Sequence, residues 1–576
     1  MRKNQTFDLG WICIVLILLC GCKHTSTISD KEAKSKIRLN QIGYYPNALK
    51  KAVVVVQDDS FNNFQLINTQ TQKVVLDTLL SSIKSWDLAG EKVQIADFSA
   101  VAATGEYQVF VPGLGYSYPF EIKSHVYEEA FKGSIKGLYY QRAGMALEKK
   151  YAGKWHRAMG HPDDSIGFHP SSGKTTGVLQ ATKGWYDAGD YNKYVVNGSF
   201  PLGQLFLLQQ EYPNSIGDGD LNIPESGNSR SDYLDELKYE MDWLLSMQDE
   251  DGGLFHKLTT LQFEKMLMPH KAVQKRFIVG KGTAASLDFA AVAAQAYRIF
   301  KSRNEAYAAQ CLMAAEKAYE WAVDNPEIVY RNPDDVGTGE YGDTDFMDEW
   351  YWANAELYVS TQNPTYLEEL QKREVSYRFK AGGNWKTFMR FLGIFDLLDH
   401  KEIISTAMYA DLKEGVLGVA DSLTIKARQM PYFQSINDFR WGSNSDVLSA
   451  ATILVSAYRL DPQPKYLQAA QQAVDYIFGT NALGYSFLTG FGDLSPMNIH
   501  HRQSTADRIL EPVPGLLSGG PNSRLQDTID GAVYPKNVAP MQSWVDQEAS
   551  YASNEICLNW NAPLTYVLGV LEAEAQ

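Results

Sequence analysis

The chain has 576 residues, of which 45% are hydrophobic and 21% charged, a composition that supports a large folded core and excludes a disordered protein. The formal charge is −15, from 53 Lys and Arg against 68 Asp and Glu, and this argues against a basic nucleic-acid groove. Three of the five cysteines lie in the first 22 residues, which excludes a disulfide framework. Cys311 and Cys557 remain, as one bridge or as two buried free thiols.

The N-terminus predicts a targeting segment over 1–21. Basic residues precede an apolar run at 11–19, which is too short for a spanning helix and has the build of a secretory signal. The sequence Leu-Cys-Gly-Cys at 19–22 resembles a bacterial lipoprotein cleavage box, in which Cys22 carries the lipid. An ordinary signal peptide cut elsewhere is the alternative. A polar tether over 22–36 would then hold the exported protein at the outer membrane or cell surface.

Residues 37–122 predict a small β-sandwich. The run AVVVV at 52–56 and the near alternation at 92–98 and 106–111 are typical of short strands. Turn signals, such as Pro112-Gly113, separate these runs.

From about residue 126 to the end at 576, the pattern changes to long helical segments. Apolar residues recur at helical spacing in 232–248. Further predicted helices lie at 283–300, 304–323, 346–360, 383–398, 444–459, 464–478 and 560–574. This is consistent with a helical barrel that has a groove at one end, although periodicity does not distinguish a barrel from another all-α fold.

Two loops carry unusual chemistry. Asp187 and Asp190 lie three residues apart in a turn rich in Gly and aromatic residues. Close carboxylates repel, which raises one pKa or requires a shared water or metal; an N-cap beside a turn aspartate is the alternative. Near the C-terminus, His501 and Arg502 can hold hydroxyls or orient a carboxylate, or they can simply hold a loop. Glu555 is either an acid at a helix N-terminus or a proton donor set against aromatic residues.

Several other chemistries lack their motifs. The sequence has no GxxxxGK[ST] phosphate loop, no GxSxG and no HExxH, and no CxxC follows residue 22. Two separated acidic loops with many aromatic residues fit glycoside hydrolysis best, since that reaction needs one carboxylic acid and one carboxylate.

At this point the sequence resembles glycoside hydrolase family 9. The resemblance rests on four blocks in the family's order: GWYDAGDYNKYV at 184–195, RWGSN at 440–444, HHR at 500–502 and YASNEICLNWNAP at 551–563. The segment 38–52 resembles the start of the immunoglobulin-like domain that precedes the catalytic domain in one branch of the family. The resemblance implies an immunoglobulin-like sandwich at 37–122 followed by an (α/α)6 barrel at 126–576.

The resemblance also implies an inverting mechanism on β-1,4-linked glucans. By match to the family motif, Asp190 is the general base, Asp187 helps to hold the attacking water, and Glu555 is the general acid. Acid and base in such enzymes stand roughly 6.5–9.5 Å apart. The matching blocks supply the candidate sugar-contacting residues, which are His501, Arg502, Trp441, Tyr551 and Trp560. Each of the three aromatic residues is equally consistent with a place in the core.

Catalysis by this family implies no cofactor, and metals are a weaker expectation. Asp345, Asp348 and Glu349 match a segment that binds structural calcium in some members, although a helix start with an acidic first turn explains them as well. Some members with the immunoglobulin-like domain hold zinc through Cys and His. Here His156, His161 and His169 lie in that region without a Cys, so zinc is doubtful.

The leading prediction is a monomeric, lipid-anchored endo-β-1,4-glucanase acting on cellulose-like chains, mixed-linkage β-glucan or xyloglucan. An exo-acting β-glucosidase or glucosaminidase of the same family is one alternative, and loops that block one end of the groove would decide for it. A catalytically inactive glycan-binding protein is another, which the intact acidic loops disfavour. Trp86 is the only tryptophan in 37–122, so the sandwich is expected to support the barrel rather than to bind sugar.

Overall fold

A computed structural model describes residues 29–57, 60–373 and 375–575. The first part contains α1 (Asp30–Lys36), β1 (Ile37–Arg38), β2 (Gly43–Tyr44), β3 (Lys51–Val56), β4 (Asn63–Asn68), β5 (Val74–Leu79), β6 (Lys84–Trp86), β7 (Glu91–Asp97), β8 (Gly105–Val111), β9 (Gly115–Tyr116) and β10 (Phe120–Ile122). The second part begins with α2 (Glu128–Tyr140), α3 (Lys149–Ala152), β11 (Ile166–Phe168), β12 (Val178–Leu179), β13 (Lys193–Tyr194), α4 (Val195–Glu211), α5 (Asp232–Ser246), β14 (Lys257–Thr260) and β15 (Arg276–Ile278). It continues with α6 (Thr283–Phe300), α7 (Glu305–Asp324), α8 (Met347–Thr361), α9 (Pro364–Gln371), α10 (Asn384–Thr387), α11 (Met389–Asp399), α12 (Thr406–Gln429), α13 (Ser443–Leu460), α14 (Pro464–Ile477), α15 (Arg502–Ala506), α16 (Tyr551–Asn554) and α17 (Leu558–Glu574).

The predicted targeting segment and Cys22 lie outside the described residues, but the end of the predicted tether does not. Helix α1 occupies it, which differs from the unpatterned linker expected there. Ser29 caps the helix by accepting a hydrogen bond from the Glu32 N–H, and Glu32 pairs with Lys36 one turn later at 2.8 Å. Ala33 is buried against Gly115 of β9. Capping and one buried contact therefore order a short polar segment whose hydrophobic pattern is weak.

The strands up to β10 form two facing sheets. One has the order β1-β3-β7-β6, and the other has the order β2-β10-β8-β4-β5 with β9 beside β8. In β8 the burial alternates with the two-residue period of a strand, so that Tyr107, Val109 and Val111 point into the layer between the sheets. This is a β-sandwich with its own apolar core.

The helices beyond β10 form two concentric rings. The inner ring runs through α4, α6, α8, α11, α13 and α17 and closes where α17 packs on α4. The outer ring contains α2, α5, α7, α9, α12 and α14, each packed on an inner helix. Inner helices are buried nearly all round, as in α4 and α17, so they read as continuously apolar rather than amphipathic. The architecture is an (α/α)6 barrel.

A small sheet with the order β12-β11-β15-β14-β13 lies at one end of this barrel. Strand β13 continues directly into the inner helix α4, so the sheet and the barrel share one rigid connection. The loop just before β13 carries Asp187 and Asp190.

The sandwich and the barrel share one continuous apolar core. Tyr45, Val53 and Val93 of the sandwich belong to the same buried cluster as the barrel helices, and Trp86 packs against that cluster. A tryptophan used in this way is not a platform for sugar. No helix in the described part of the chain is long and apolar enough to cross a membrane. Cys311 and Cys557 are both buried free thiols.

Candidate active site

A cleft of about 340 Å³ opens at the end of the barrel beside the small sheet. Six segments that are far apart in the chain supply its walls. They contribute Asp187, Ala188, Asp190, Tyr194, Phe263, Gly339, Glu340, Tyr341, Gly383, Asn384, Trp385, Trp441, Ser445, Glu555, Cys557, Asn559 and Trp560. The two acidic loops predicted from the sequence therefore meet here, although 365 residues separate Asp190 from Glu555.

Asp187 is fixed by two side-chain donors. Asn197 Nδ2 donates to its Oδ1 at 2.6 Å, and the Tyr341 hydroxyl donates to its Oδ2 at 2.7 Å. Burial and the nearby charge of Asp190 raise the pKa of Asp187 to about 8, while the two donors oppose that rise. Asp187 is therefore mostly protonated at neutral pH, as expected for one of two close carboxyls.

Asp190 is held differently, because its donors all reach one oxygen. Asn192 Nδ2 donates to Asp190 Oδ2 at 2.6 Å, and the Asn192 N–H and the Tyr194 hydroxyl lie at 3.3 and 3.4 Å from the same atom. The side chain is 4% exposed and lines the cleft. One oxygen of the Asp190 carboxylate is thus held in place by hydrogen bonds, and the side chain still lines the cleft.

Glu555 lies directly after α16 and faces the Asp187–Asp190 loop. A Cβ on Gly189 would lie 3.2 Å from Glu555 Oε1 and 2.0 Å from the His500 carbonyl oxygen, so only glycine permits this approach of the loops. Burial and the charge of Asp190 raise the pKa of Glu555 well above its usual range, against the attraction of Arg502. The raised pKa favours the protonated form of Glu555, which can donate a proton.

Helix α5 supports the acidic loop from behind. Glu240 Oε2 accepts the Trp185 main-chain N–H at 2.6 Å, and Glu236 accepts the Trp185 indole N–H at 2.8 Å. Arg142 is fully buried and bridges Glu236 to Glu225. The loop geometry is therefore set by buried polar groups on the helix packed beneath it.

The predicted aromatic residues lie at the cleft. Trp441 is 42% exposed, and its ring centroid lies 5.3 Å from that of Tyr551 at the edge of the cleft. Trp560 lines the cleft wall, where Gly442 leaves the space its indole needs. Trp385 and Phe263 also line the cleft and were not among the predicted residues.

His501 and Arg502 lie behind the cleft wall rather than on it, which differs from the expectation of direct sugar contact. His501 is 1% exposed, with Nδ1 at 2.9 Å from the Ser504 hydroxyl and Nε2 at 3.1 Å from Gln141 Oε1; burial lowers its pKa to about 3. Arg502 donates to the Gly189 carbonyl at 2.9 Å and to the Glu264 carbonyl at 2.8 Å. Both side chains hold loops together, because buried hydrogen-bonding groups must find protein partners.

The predicted calcium residues do not converge. Asp345 is exposed, and Asp348 pairs with Arg390 at 3.0 Å. Glu349 is buried with both carboxylate oxygens unpaired, and the nearest comparable group is Asp288 of α6, also unpaired. Among the described residues, no three His, Cys, Asp or Glu side chains are grouped closely enough to hold a metal ion.

The three histidines considered for zinc are dispersed. His156 is exposed, and His161 Nδ1 lies 2.8 Å from the Tyr186 hydroxyl. His169 Nδ1 lies 2.9 Å from the Ser171 hydroxyl, and its Nε2 lies 3.2 Å from Asp335 Oδ2.

Sequence reasoning missed the groups that hold the two aspartates, namely Asn192, Asn197 and Tyr341. Asn192 could have been found from the sequence, because it belongs to the same motif as Asp190. Tyr341 begins the acidic segment that was interpreted as a calcium site, and nothing local to it indicates that its hydroxyl meets Asp187.

A helical barrel whose cleft sets a buried glutamic acid against an aspartate pair, between aromatic walls, is the arrangement expected of a glycoside hydrolase. The model of glycosyl hydrolase family 9 matches residues 127–568, and the model of the cellulase N-terminal ig-like domain matches residues 32–116. The chain belongs to glycosyl hydrolase family 9.

Relatives and solved structures agree with this assignment. The chain is 40% identical to a xyloglucan-specific endo-β-1,4-glucanase of Bacteroides ovatus, over 97% of each chain. It is 37% identical to endoglucanase D of Acetivibrio thermocellus, over 97% of this chain and 85% of that one. The structure of a Bacteroides ovatus family 9 protein superposes with a TM-score of 0.87 at 38% identity, covering 94% of this chain and 100% of that one. A metagenome-derived family 9 endoglucanase superposes with a TM-score of 0.86 at 32% identity, covering 93% and 98%.

The chain is therefore a glycoside hydrolase, and relatives similar to it over most of their length are named endoglucanases. The expected combination of a sandwich and an (α/α)6 barrel is confirmed.

Proposed function

We propose that this glycoside hydrolase is an endo-β-1,4-glucanase that works by inversion, with Glu555 as general acid, Asp190 as general base and Asp187 as the residue that helps to hold the water. One observation carries this assignment: Glu555 faces an aspartate pair on another loop of the cleft. Glu555 is buried, and its pKa is raised well above its usual range. A proton donor and an ionised acceptor on opposite sides of one cleft are what inversion needs.

The reaction proceeds in one displacement. Glu555 gives its proton to the glycosidic oxygen as the bond from that oxygen to the anomeric carbon breaks. A water held between Asp187 and Asp190 attacks the anomeric carbon from the opposite face, and Asp190 takes its proton. The product sugar has the α configuration, and the two carboxyl groups have exchanged protonation states.

Flat aromatic faces suit the sugar chain. Trp441 presents an exposed ring and Trp385 a partly buried one, and sugar rings bind such surfaces through their C–H faces. Trp560 and Tyr551 complete this wall. His501 and Arg502 contribute by fixing the loops, since both ring nitrogens of His501 and the Nε and Nη1 atoms of Arg502 have protein partners.

We further propose xyloglucan as the preferred polymer. The supporting observation is the similarity to the xyloglucan-specific Bacteroides ovatus enzyme over nearly the whole of both chains.

The test is to incubate the mature protein with xyloglucan, mixed-linkage β-glucan, carboxymethylcellulose and cello-oligosaccharides, and to size the products. Rapid shortening of xyloglucan with release of the α anomer is expected. Glu555→Gln and Asp190→Asn should each lose at least a thousandfold in kcat, while the exposed Glu548→Gln should match the parent. Single sugars released from short chains would instead identify the exo-acting alternative, β anomers would refute inversion, and binding without turnover would identify an inactive glycan-binding protein.

We also propose a structural calcium ion at the start of α8. The fit is chemical: Asp288 and Glu349 are buried without partners, and burial and mutual repulsion raise the pKa of both, so a hard cation would satisfy their oxygens. The protein ligands would be the carboxylates of Asp288 and Glu349, without Asp348, which pairs with Arg390, and without the exposed Asp345. Calcium should raise the Tm of the parent and of Asp345→Asn, but not that of Glu349→Gln. Equal Tm values with calcium and with a chelator would reject the site.

For the N-terminus we propose export, cleavage before Cys22 and lipid attachment at Cys22, which places a monomeric enzyme at the bacterial envelope. The supporting feature is the apolar run at 11–19 followed by the Leu-Cys-Gly-Cys box. Mass spectrometry of the membrane fraction should find diacylated Cys22, and Cys22→Ser should release the protein from membranes. A mature N-terminus elsewhere would contradict the proposal, and sedimentation of the soluble form would test the monomer.

A further inference from the structure

We propose that Asn192 is a positioning residue that determines which oxygen of Asp190 acts as the base. The inference rests on the function proposed above for Asp190. Every hydrogen bond that the described residues make to this carboxylate ends on Oδ2, and none of them reaches Oδ1. Oδ2 is occupied by the Asn192 amide at 2.6 Å, the Asn192 N–H at 3.3 Å and the Tyr194 hydroxyl at 3.4 Å. Oδ1 is then the atom whose lone pairs are available to the attacking water.

The orientation of the Asn192 amide is dictated by its other partner. The Thr260 main-chain N–H lies 2.9 Å from Asn192 Oδ1, and the Thr260 hydroxyl lies 3.3 Å from the same atom. A main-chain N–H can bond only to an acceptor, so the amide oxygen must face Thr260 and the amide nitrogen must face Asp190. The amide cannot rotate without losing both bonds.

Thr260 transmits the rigidity of the small sheet to the acidic loop. It ends strand β14, which pairs with β13 so that Tyr194 lies opposite Lys257. The Asn192 carbonyl also accepts the Asp187 N–H at 3.1 Å. Asn192 is 2% exposed, so these bonds form away from competing water. One uncharged residue thereby links both aspartates to strand β14, Asp190 through its side chain and Asp187 through its main-chain carbonyl.

A hydrogen bond donated to a carboxylate stabilises its negative charge, and the Asn192 amide is placed to do this for Asp190. The other groups that act on this carboxylate are the carboxyls of Asp187 and Glu555, the Tyr194 hydroxyl and the Lys257 ammonium, with Arg502 at the adjacent Gly189 carbonyl. Asn192 donates the shortest of the hydrogen bonds.

The test compares kcat, KM and the pH dependence of kcat/KM for the parent, Asn192→Ala and Asn192→Asp on soluble xyloglucan. Loss of a hydrogen bond to a charged group predicts a fall in kcat of about tenfold to a hundredfold with KM within about twofold. The acid limb of the profile, which reports the base in the free enzyme, should move to higher pH by about one unit in Asn192→Ala. It should move at least as far in Asn192→Asp, which keeps the shape but replaces the donor with a second negative charge.

Asn228→Ala is the matched control, because it removes an amide that donates to the Asp235 carboxylate at 2.8 Å outside the cleft lining. It should stay within about twofold of the parent in kcat. If Asn192→Ala and Asn192→Asp keep the parent's acid limb, and kcat falls only with a lowered Tm, the role is structural and the proposal is wrong. Asp190→Asn separates the two proposals. Full activity in that variant would refute Asp190 as base, whereas its inactivity beside an unchanged Asn192→Ala would refute the present inference alone.

Discussion

Individual hydrogen bonds decide how the aspartates differ. Asp187 takes one donor on each oxygen, whereas the donors to Asp190 converge on Oδ2. The first arrangement holds the Asp187 carboxyl, whose pKa is raised, in a fixed position. The second anchors one oxygen and leaves the other available to water. Two chemically identical side chains three residues apart thus acquire different properties from their neighbours alone.

Tyr341→Phe should isolate the contribution of one of those donors. The hydroxyl opposes the raised pKa of Asp187, so its loss should raise that pKa further and leave the water less well held. We expect kcat to fall by about tenfold with KM within about twofold, as for a lost hydrogen bond to a carboxylate. Steady-state kinetics on soluble β-glucan measures this. Tyr330→Phe, whose hydroxyl bonds Asn332 outside the cleft lining, serves as the control, and equal losses in both variants would contradict the role of Tyr341.

Helix α5 of the outer ring holds the loop that carries Asp187 and Asp190, although it does not line the cleft itself. Its Glu236 and Glu240 accept both N–H groups of Trp185, two residues before Asp187. Buried carboxyls are costly unless they are paired or protonated. Burial raises the pKa of Glu240 to about 8, so part of its population is neutral in the folded protein at neutral pH.

Glu240→Gln should therefore change the pH dependence of stability. Because the folded pKa is raised, the native state holds more protons than the unfolded state between about pH 4.5 and 8, and stability falls as pH rises through that window. A glutamine cannot ionise, so the variant should gain stability relative to the parent between pH 5 and pH 8. Its Tm relative to the parent should rise over this range, and the corresponding change in the free energy of unfolding should be a few kcal/mol at most. Thermal unfolding across this range measures it. The exposed Glu250→Gln should give parallel curves, and a pH-independent difference for Glu240→Gln would disprove the assignment.

Across the molecule, the sandwich is fastened to the barrel by buried polar groups as well as by apolar packing. The Glu91 carboxylate of β7 accepts hydrogen bonds from the Arg38 guanidinium at 2.7 Å and from the Tyr432 hydroxyl at 2.6 Å. It also accepts one from the side-chain amide of Gln542 in the barrel at 2.9 Å. Nearby, the Met541 N–H donates to the Leu88 carbonyl at 2.8 Å. The loop that bears Gln542 continues to Asp546, whose carboxylate accepts Asn554 beside Glu555. A continuous set of contacts therefore leads from the sandwich to Glu555, the proposed general acid.

Glu91→Ala should destabilise the whole chain by about 3 kcal/mol, since it leaves Arg38 buried without its carboxylate. Because the loop at 541–546 loses an anchor, kcat should also fall several-fold at temperatures where the protein is folded. Chemical denaturation and kinetics on β-glucan measure the two effects. Asp87→Ala, on the exposed turn beside Glu91, should change neither. An unaltered stability for Glu91→Ala would mean that apolar packing alone fastens the sandwich.

Local sequence patterns predicted the elements well where the signal was dense. Residues 283–300 form a helix with those bounds, because alanines and larger apolar residues recur at helical spacing over its whole length. Helix α12 was missed although Leu412, Val416 and Leu423 form a helical stripe, since charged and small residues outnumber them. Helix α1 was missed because one cap and one buried alanine order it.

The order of the catalytic blocks, the two acidic loops and the division into a β part and an α part follow from the sequence alone, since each depends on residues that are neighbours in the chain. Tertiary structure decided the rest. It turned His501 and Arg502 into loop supports, brought Tyr341 to Asp187 across 154 residues, and joined Thr260 to Asn192 across 68. The physical reason is that a buried polar atom must find a partner, and the partner is selected by how distant elements pack rather than by the residues beside it.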